Sequence, residues 1–180
     1  DEYCIFIYHP VTTDLENLKA NIKDAINALV KSGKNFIIIY PNNDNGSDII
    51  IDQFNNLINN KKFKIFESLR FEYYVTLMKN AKLMIGNSSA GVREVSVFGV
   101  PSINIGNRQN NRSNHSSIKN IECNEKDILE AIISEPERYT PSLAFGKGNS
   151  AELFIKTISN KNFWNIPNQK QFKDILLSQN

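Results

Sequence analysis

Short continuous apolar runs alternate along the chain with longer stretches in which apolar residues recur at helical spacing. Cys4-Ile5-Phe6-Ile7-Tyr8-His9, Asn35 to Pro41, Phe63-Lys64-Ile65-Phe66, Ala81 to Ile85 and Ser102-Ile103-Asn104-Ile105 have strand length. Runs without polar alternation suit strands covered on both faces, as in a parallel sheet. Leu15, Leu18, Ile22, Ala25, Ile26, Leu29 and Val30 predict an amphipathic helix between the first two runs. Thr12 or Thr13 is positioned to cap it, with Glu16 at capping-box distance from Thr13, and Gly33 to stop it.

A cap at Ser47 or Asp48 predicts a second helix carrying Ile50, Ile51, Phe54, Leu57 and Ile58. A third is expected from Phe71 to Asn80 and a fourth from Ala90 to Phe98, ended by Gly99. Ser116 to Cys123 reads as a last strand, and Asn124 opens a helix carrying Ile128, Leu129, Ile132 and Ile133. Pro136 to Gly148 reads as a loop, and Asn149 or Ser150 caps a helix through Ile158. Beyond Lys161 the chain turns polar, then ends in an amphipathic tail from Asn168 to Leu177.

Strands alternating with helices imply right-handed crossovers and an α/β fold with a Rossmann-like, doubly wound parallel sheet. Ligands of such sheets bind outside the carboxyl ends of the strands. Here those ends are His9-Pro10, Pro41-Asn42, Glu67-Ser68-Leu69, Asn87-Ser88-Ser89 and Gly106-Asn107-Arg108. Polar residues gather where the fold predicts a site.

Composition narrows the classes. The 180 residues suffice for one sizeable domain with its own core. A net charge of +2 with 22% charged residues gives no basic face for nucleic acid. Lys61-Lys62-Phe63-Lys64 reads as a solvated turn leading into a strand. No apolar run approaches the roughly 18 residues needed to span a membrane. Cys4 and Cys123 are the only cysteines, and each lies in an apolar stretch; a reduced, cytoplasmic protein is expected. The chain opens at Asp1, without an initiator Met and directly before a strand, so an excised domain is expected.

Gly86-Asn87-Ser88-Ser89-Ala90-Gly91 joins an apolar run to a helix. Small residues admit a ligand close to the backbone, and first-turn amides and Ser hydroxyls bind anions. A diphosphate fits; an ordinary strand–helix turn with a Ser cap fits as well. Glu94, five residues after Ser89, is placed to accept from ribose hydroxyls or to face solvent. Arg108 and Arg112 lie in a polar loop after the fifth run, where guanidinium forks can meet phosphates or a carboxylate; a flexible basic loop fits as well. His9 ends the first run as a phosphate donor, an acid/base group or a structural residue. Asn42 is placed to contact base, ribose or sugar, or to cap its loop, and the stretch from Phe66 to Leu69 to hold a flat base. His9 and His115 have no Cys or carboxylate at ligand spacing, so no metal site is expected. Paired carboxylates for sugar chemistry are missing from the strand ends.

Several segments together resemble the hydrolysing UDP-N-acetylglucosamine 2-epimerases of sialic-acid, legionaminic-acid and related capsule-sugar biosynthesis. They are His9-Pro10-Val11-Thr12-Thr13-Asp14, Tyr40 to Ser47, and Met84-Ile85-Gly86-Asn87-Ser88-Ser89-Ala90-Gly91-Val92-Arg93-Glu94. Phe98-Gly99-Val100-Pro101 through Gln109 and Tyr139 to Ala151 follow in the family's order. The resemblance implies the C-terminal half of a GT-B arrangement, two Rossmann-like domains facing a cleft. Residues 1–161 would form the nucleotide-binding domain, and residues 162–180 a tail crossing back toward an absent N-terminal domain.

By resemblance Ser88 and Ser89 hold the diphosphate of UDP and Glu94 the ribose. Asn42, Leu69 and Arg108 line the nucleotide site, with Arg112 a looser match, and His9 reaches the phosphate or sugar. The principal acid/base carboxylates belong to the other domain, so this half alone should be inactive. The implied reaction releases UDP and a free manno-configured N-acetyl sugar without metal or redox cofactor. UDP-N-acetylglucosamine and UDP-2,4-diacetamido-trideoxyglucose both fit, and the full-length enzyme is expected to self-associate. A GT-B glycosyltransferase domain, a non-hydrolysing epimerase and a non-catalytic nucleotide-binding module remain open alternatives.

Overall fold

A computed structural model describes residues 2–134, 137–165, 167 and 169. Among them the strands are β1 (Cys4–Ile7), β2 (Phe36–Ile39), β3 (Phe63–Phe66), β4 (Met84–Gly86), β5 (Ser102–Ile105) and β6 (Ile118–Ile121). They form one sheet in the order β3-β2-β1-β4-β5-β6, and every pairing is parallel. The helices are α1 (Leu15–Ser32), α2 (Ser47–Asn55), α3 (Phe71–Asn80), α4 (Ala90–Arg93), α5 (Glu125–Ile133) and α6 (Ser150–Ile158). The expected doubly wound α/β fold is the observed one.

The continuous apolar runs have a simple cause. Successive strand side chains point to opposite faces, and both faces here are covered. Phe6 and Ile38 pack with Leu18, Ile22 and Leu29 of α1, Phe54 of α2 and Ile128 and Ile132 of α5. Their neighbours Ile5 and Ile7 pack with Met78 of α3, Met84, Val95 and Val100 on the other side. Phe6 lies edge-on to Phe54, with ring centroids 6.1 Å apart.

Strand order places the site. Chain progression reverses between β1 and β4, which are neighbours in register Ile5↔Met84, Phe6↔Ile85 and Ile7↔Gly86. Ligands of doubly wound sheets bind in the crevice at such a switch point. Here the crevice lies between the segments that begin at Tyr8 and Asn87.

Three local expectations are corrected. The capping box of Thr13 and Glu16 does not form: the N-cap position is one residue later, at Asp14, and its side chain caps no backbone amide. Its carboxylate instead accepts from Asn17 Nδ2 at 2.7 Å. The N-cap of α2 is Gly46, at φ 93°, rather than Ser47 or Asp48. A Cβ on Gly46 would stand 2.7 Å from Leu18 Cδ2 and 3.0 Å from Leu15 Cδ2, and this crowding adds to the left-handed φ that favours glycine there. The single helix expected from Ala90 to Phe98 divides at Glu94 into one α-turn and a 3₁₀ turn, Val95–Phe98. Ser96 Oγ donates to the carbonyls of Val92 and Arg93, competing with the regular helical bonds. Gly33 and Gly99, both left-handed, end their helices as expected, and Asn124 caps α5 by accepting from Asp127 N at 2.9 Å.

The described residues from Ala144 onward belong to a separate compact unit. Its described part holds α6 and a 3₁₀ turn, Lys161–Asn165, in which Trp164 Nε1 donates to Ile158 O at 2.7 Å. The tail expected from Asn168 to Leu177 lies, apart from Gln169, outside the described residues. Among the described residues no helix is long and apolar enough to cross a membrane.

Candidate functional site

The site begins with a close approach. Gly86, the last residue of β4, has φ 134°, and a Cβ there would stand 1.8 Å from Ile7 O. Only glycine admits the two strands at this distance. The next residue, Asn87, is 1% exposed and ties the strand ends together. Its Oδ1 accepts from His9 N at 2.7 Å, and its Nδ2 donates to His9 O at 2.8 Å. Its own carbonyl accepts from Arg108 Nη1 at 3.1 Å and from Gln109 Nε2 at 2.9 Å. The His9 ring carries the link to the segment after β2, where Asn42 N donates to His9 Nδ1 at 3.1 Å. The carboxyl ends of β1, β2, β4 and β5 are thus joined in one hydrogen-bonded unit.

Accepting a backbone N–H keeps His9 Nδ1 unprotonated, so the neutral ring carries its proton on Nε2. Burial, and then the neighbouring Arg108 charge, lower the proton affinity of the ring below the usual histidine value. Burial and the charge of Arg112 likewise weaken the hold of Arg108 on its proton, while Asp44 strengthens it.

Ser88 and Ser89 are half-buried. Ser88 Oγ accepts from Ala90 N at 3.3 Å, while the Ser88 and Ser89 carbonyls accept the amides of Gly91 and Val92. The N–H groups of Ser88 and Ser89 meet no acceptor among the described residues. A helix of one turn aligns few peptide dipoles, so anion binding here rests on local amides and hydroxyls. Gly91 fixes the helix against β5: a Cβ on it would lie 2.7 Å from Ser102 Oγ.

The other predicted site residues are less tightly joined. Asn42 is exposed, and its side chain donates to Asp44. Leu69 is half-buried in the connection from β3 to α3. Glu94 is exposed where α4 meets the 3₁₀ turn; burial and the Glu94 charge together raise the Tyr74 phenol well above its usual value. Among the described residues no hydrogen bond connects Leu69 or Glu94 to the Asn87 unit. His115, which has no partner legible in sequence, meets Ser117 Oγ through Nδ1 at 2.7 Å and orders its own loop. No group of three His, Cys, Asp or Glu stands at metal-binding distance among the described residues.

A recess of about 260 Å³ opens beside the site, lined by Tyr8, Asp14, Asn17, Asn107, Glu122 and Cys123. None of the predicted site residues lines it.

Sequence reasoning missed the structural role of Asn87 and of Gln109. Both fall within the motif segments, but their burial depends on β1 and β4 being neighbours, a pairing of distant segments that no local pattern encodes.

The family model described as UDP-N-acetylglucosamine 2-epimerase matches residues 1–159. The UDP-N-acetylglucosamine 2-epimerase of Neisseria meningitidis serogroup B is 40% identical over 182 aligned positions, covering 98% of this chain and 48% of that protein. The UDP-N,N'-diacetylbacillosamine 2-epimerase (hydrolyzing) of Legionella pneumophila is 28% identical, covering 86% of this chain and 42% of that protein. The crystal structure of Methanocaldococcus jannaschii UDP-GlcNAc 2-epimerase in complex with UDP-GlcNAc and UDP shares the fold, with a TM-score of 0.68 at 20% identity. That alignment covers 88% of this chain and 45% of the solved one. The chain spans about half the length of the relatives it matches. Matched over residues 1–159, this chain belongs to the UDP-N-acetylglucosamine 2-epimerase family.

Proposed function

We propose that this chain is the UDP-binding, C-terminal half of a hydrolysing UDP-sugar 2-epimerase. The sugar is UDP-N-acetylglucosamine or a UDP-diacetamido relative. One observation carries the reading: at the switch point of the sheet the Asn87 unit gathers His9 and Arg108 at the segment of Ser88 and Ser89, whose N–H groups meet no acceptor among the described residues. Donors and a positive charge share that edge of the sheet, as a diphosphate requires.

In this reading Ser88 and Ser89 hold the diphosphate, Arg108 neutralises it and Glu94 accepts from the ribose hydroxyls. Asn42 and Leu69 border the nucleoside, and neutral His9 offers Nε2–H to a phosphate or sugar oxygen. In the first stage a base supplied by the other half of the enzyme removes the C2 proton. The C1–O bond breaks toward UDP, leaving a 2-acetamidoglycal. Water then adds at C1 and a proton returns to the opposite face of C2. This half stabilises the charge that develops on the departing diphosphate. The hydrolyzing type of the Legionella relative supports this outcome.

The test is product analysis by proton NMR after the full-length protein meets UDP-N-acetylglucosamine or its diacetamido analogue without acceptor. UDP and a free manno-configured sugar are expected. A sugar still linked to UDP would instead assign the non-hydrolysing reaction. Turnover only on addition of an acceptor would assign glycosyl transfer.

A further inference from the structure

The Asn87–Ser88 peptide is trans, as the described chain contains no cis bond. In a trans peptide the carbonyl and the following N–H point in opposite directions. Two side chains fix that carbonyl, Arg108 Nη1 at 3.1 Å and Gln109 Nε2 at 2.9 Å. Fixing it also fixes the Ser88 N–H, which points away from both and meets no acceptor among the described residues.

The two donors differ in kind. Arg108 is half-buried and charged, with further guanidinium N–H groups for a ligand. Gln109 is neutral and 2% exposed, and its Oε1 is buried with no hydrogen-bond partner among the described residues. A buried amide oxygen without a donor destabilises the fold, so stability does not account for a glutamine here. The bond that its other end makes to Asn87 does.

We propose that Gln109 is a positioning residue for diphosphate binding: its amide holds the Asn87–Ser88 peptide so that the Ser88 N–H faces the phosphates. Arg108 is then able to turn its donors to the ligand without releasing that peptide. This inference rests on the UDP reading above and deepens it.

Calorimetry with UDP and with uridine, each titrated into the full-length protein and its Gln109→Met variant, tests it. Methionine keeps the length and removes the donor. The variant should bind UDP about tenfold more weakly, while uridine affinity and melting temperature stay near those of the unaltered protein. Equal losses for both ligands would show a general structural role and overturn the inference, as would no loss for either. If the unaltered protein prefers UDP to uridine and the variant keeps that preference, only this inference fails. If the unaltered protein shows no preference, the UDP reading itself fails. Should the variant not fold, the Ser88 amide proton in the unaltered protein decides. It should shift downfield with UDP and not with uridine; an unmoved Ser88 signal under saturating UDP overturns the proposal.

Discussion

His9 joins the site to the stability of the fold. Its ring is half-buried beside Asn42 and Arg108, and its proton affinity lies below the usual histidine value of 6.5. Unfolding restores the usual value, so on acidification the unfolded chain takes up this proton before the folded one does. The histidine contribution to stability is therefore complete above about pH 7 and declines as pH falls through the usual value. His9→Gln should flatten the dependence of melting temperature on pH between about 5 and 7.5. An unchanged slope in the variant would assign the dependence to other groups. Most candidate residues were legible one by one in sequence, because they stand at or just after the end of an apolar run, while Glu94 was read from its spacing after Ser89. Their connection was not legible: the carboxamide of Asn87 bonds to His9, 78 positions earlier.

At the scale of elements, period and length gave the six strands and the helices α1 to α6, but not the 3₁₀ turns Val95–Phe98 and Lys161–Asn165. Ends were harder, because one residue's dihedral angle or one crowded contact decides them. Gly46 caps α2 where a left-handed φ and the crowding of Leu15 and Leu18 favour glycine, and Ser96 draws the α4 segment into a 3₁₀ turn. The approach of β1 to β4 is a sharper constraint and gives a paired prediction. Gly86→Ala places a methyl group on the Ile7 carbonyl and should cost about 3 kcal/mol or more. Gly106→Ala also meets a positive φ, but no atom stands within 4 Å of the added carbon. It should cost only about 1–2 kcal/mol. Urea titration of both variants checks the contrast, and comparable losses would mean that the strands separate more easily than their packing implies.

At the scale of the molecule, the chain covers nearly all of its own length in the Neisseria match and about half of that relative. The described carboxyl edge holds donors and a cation but no paired carboxylates for proton transfer at C2. The 180-residue chain alone should therefore bind UDP yet release no sugar from UDP-N-acetylglucosamine; measurable turnover by it would place the acid/base groups in this half. The central claim is that Ser88 and Ser89 form a diphosphate cradle with Glu94 on the ribose. Calorimetric titration of the full-length protein with UDP and with AMP, repeated with Ser88→Ala and Glu94→Ala, tests it most directly. UDP should bind more tightly than AMP, and each substitution should weaken UDP by about tenfold. Equal affinities for the two nucleotides, unmoved by either substitution, would contradict it.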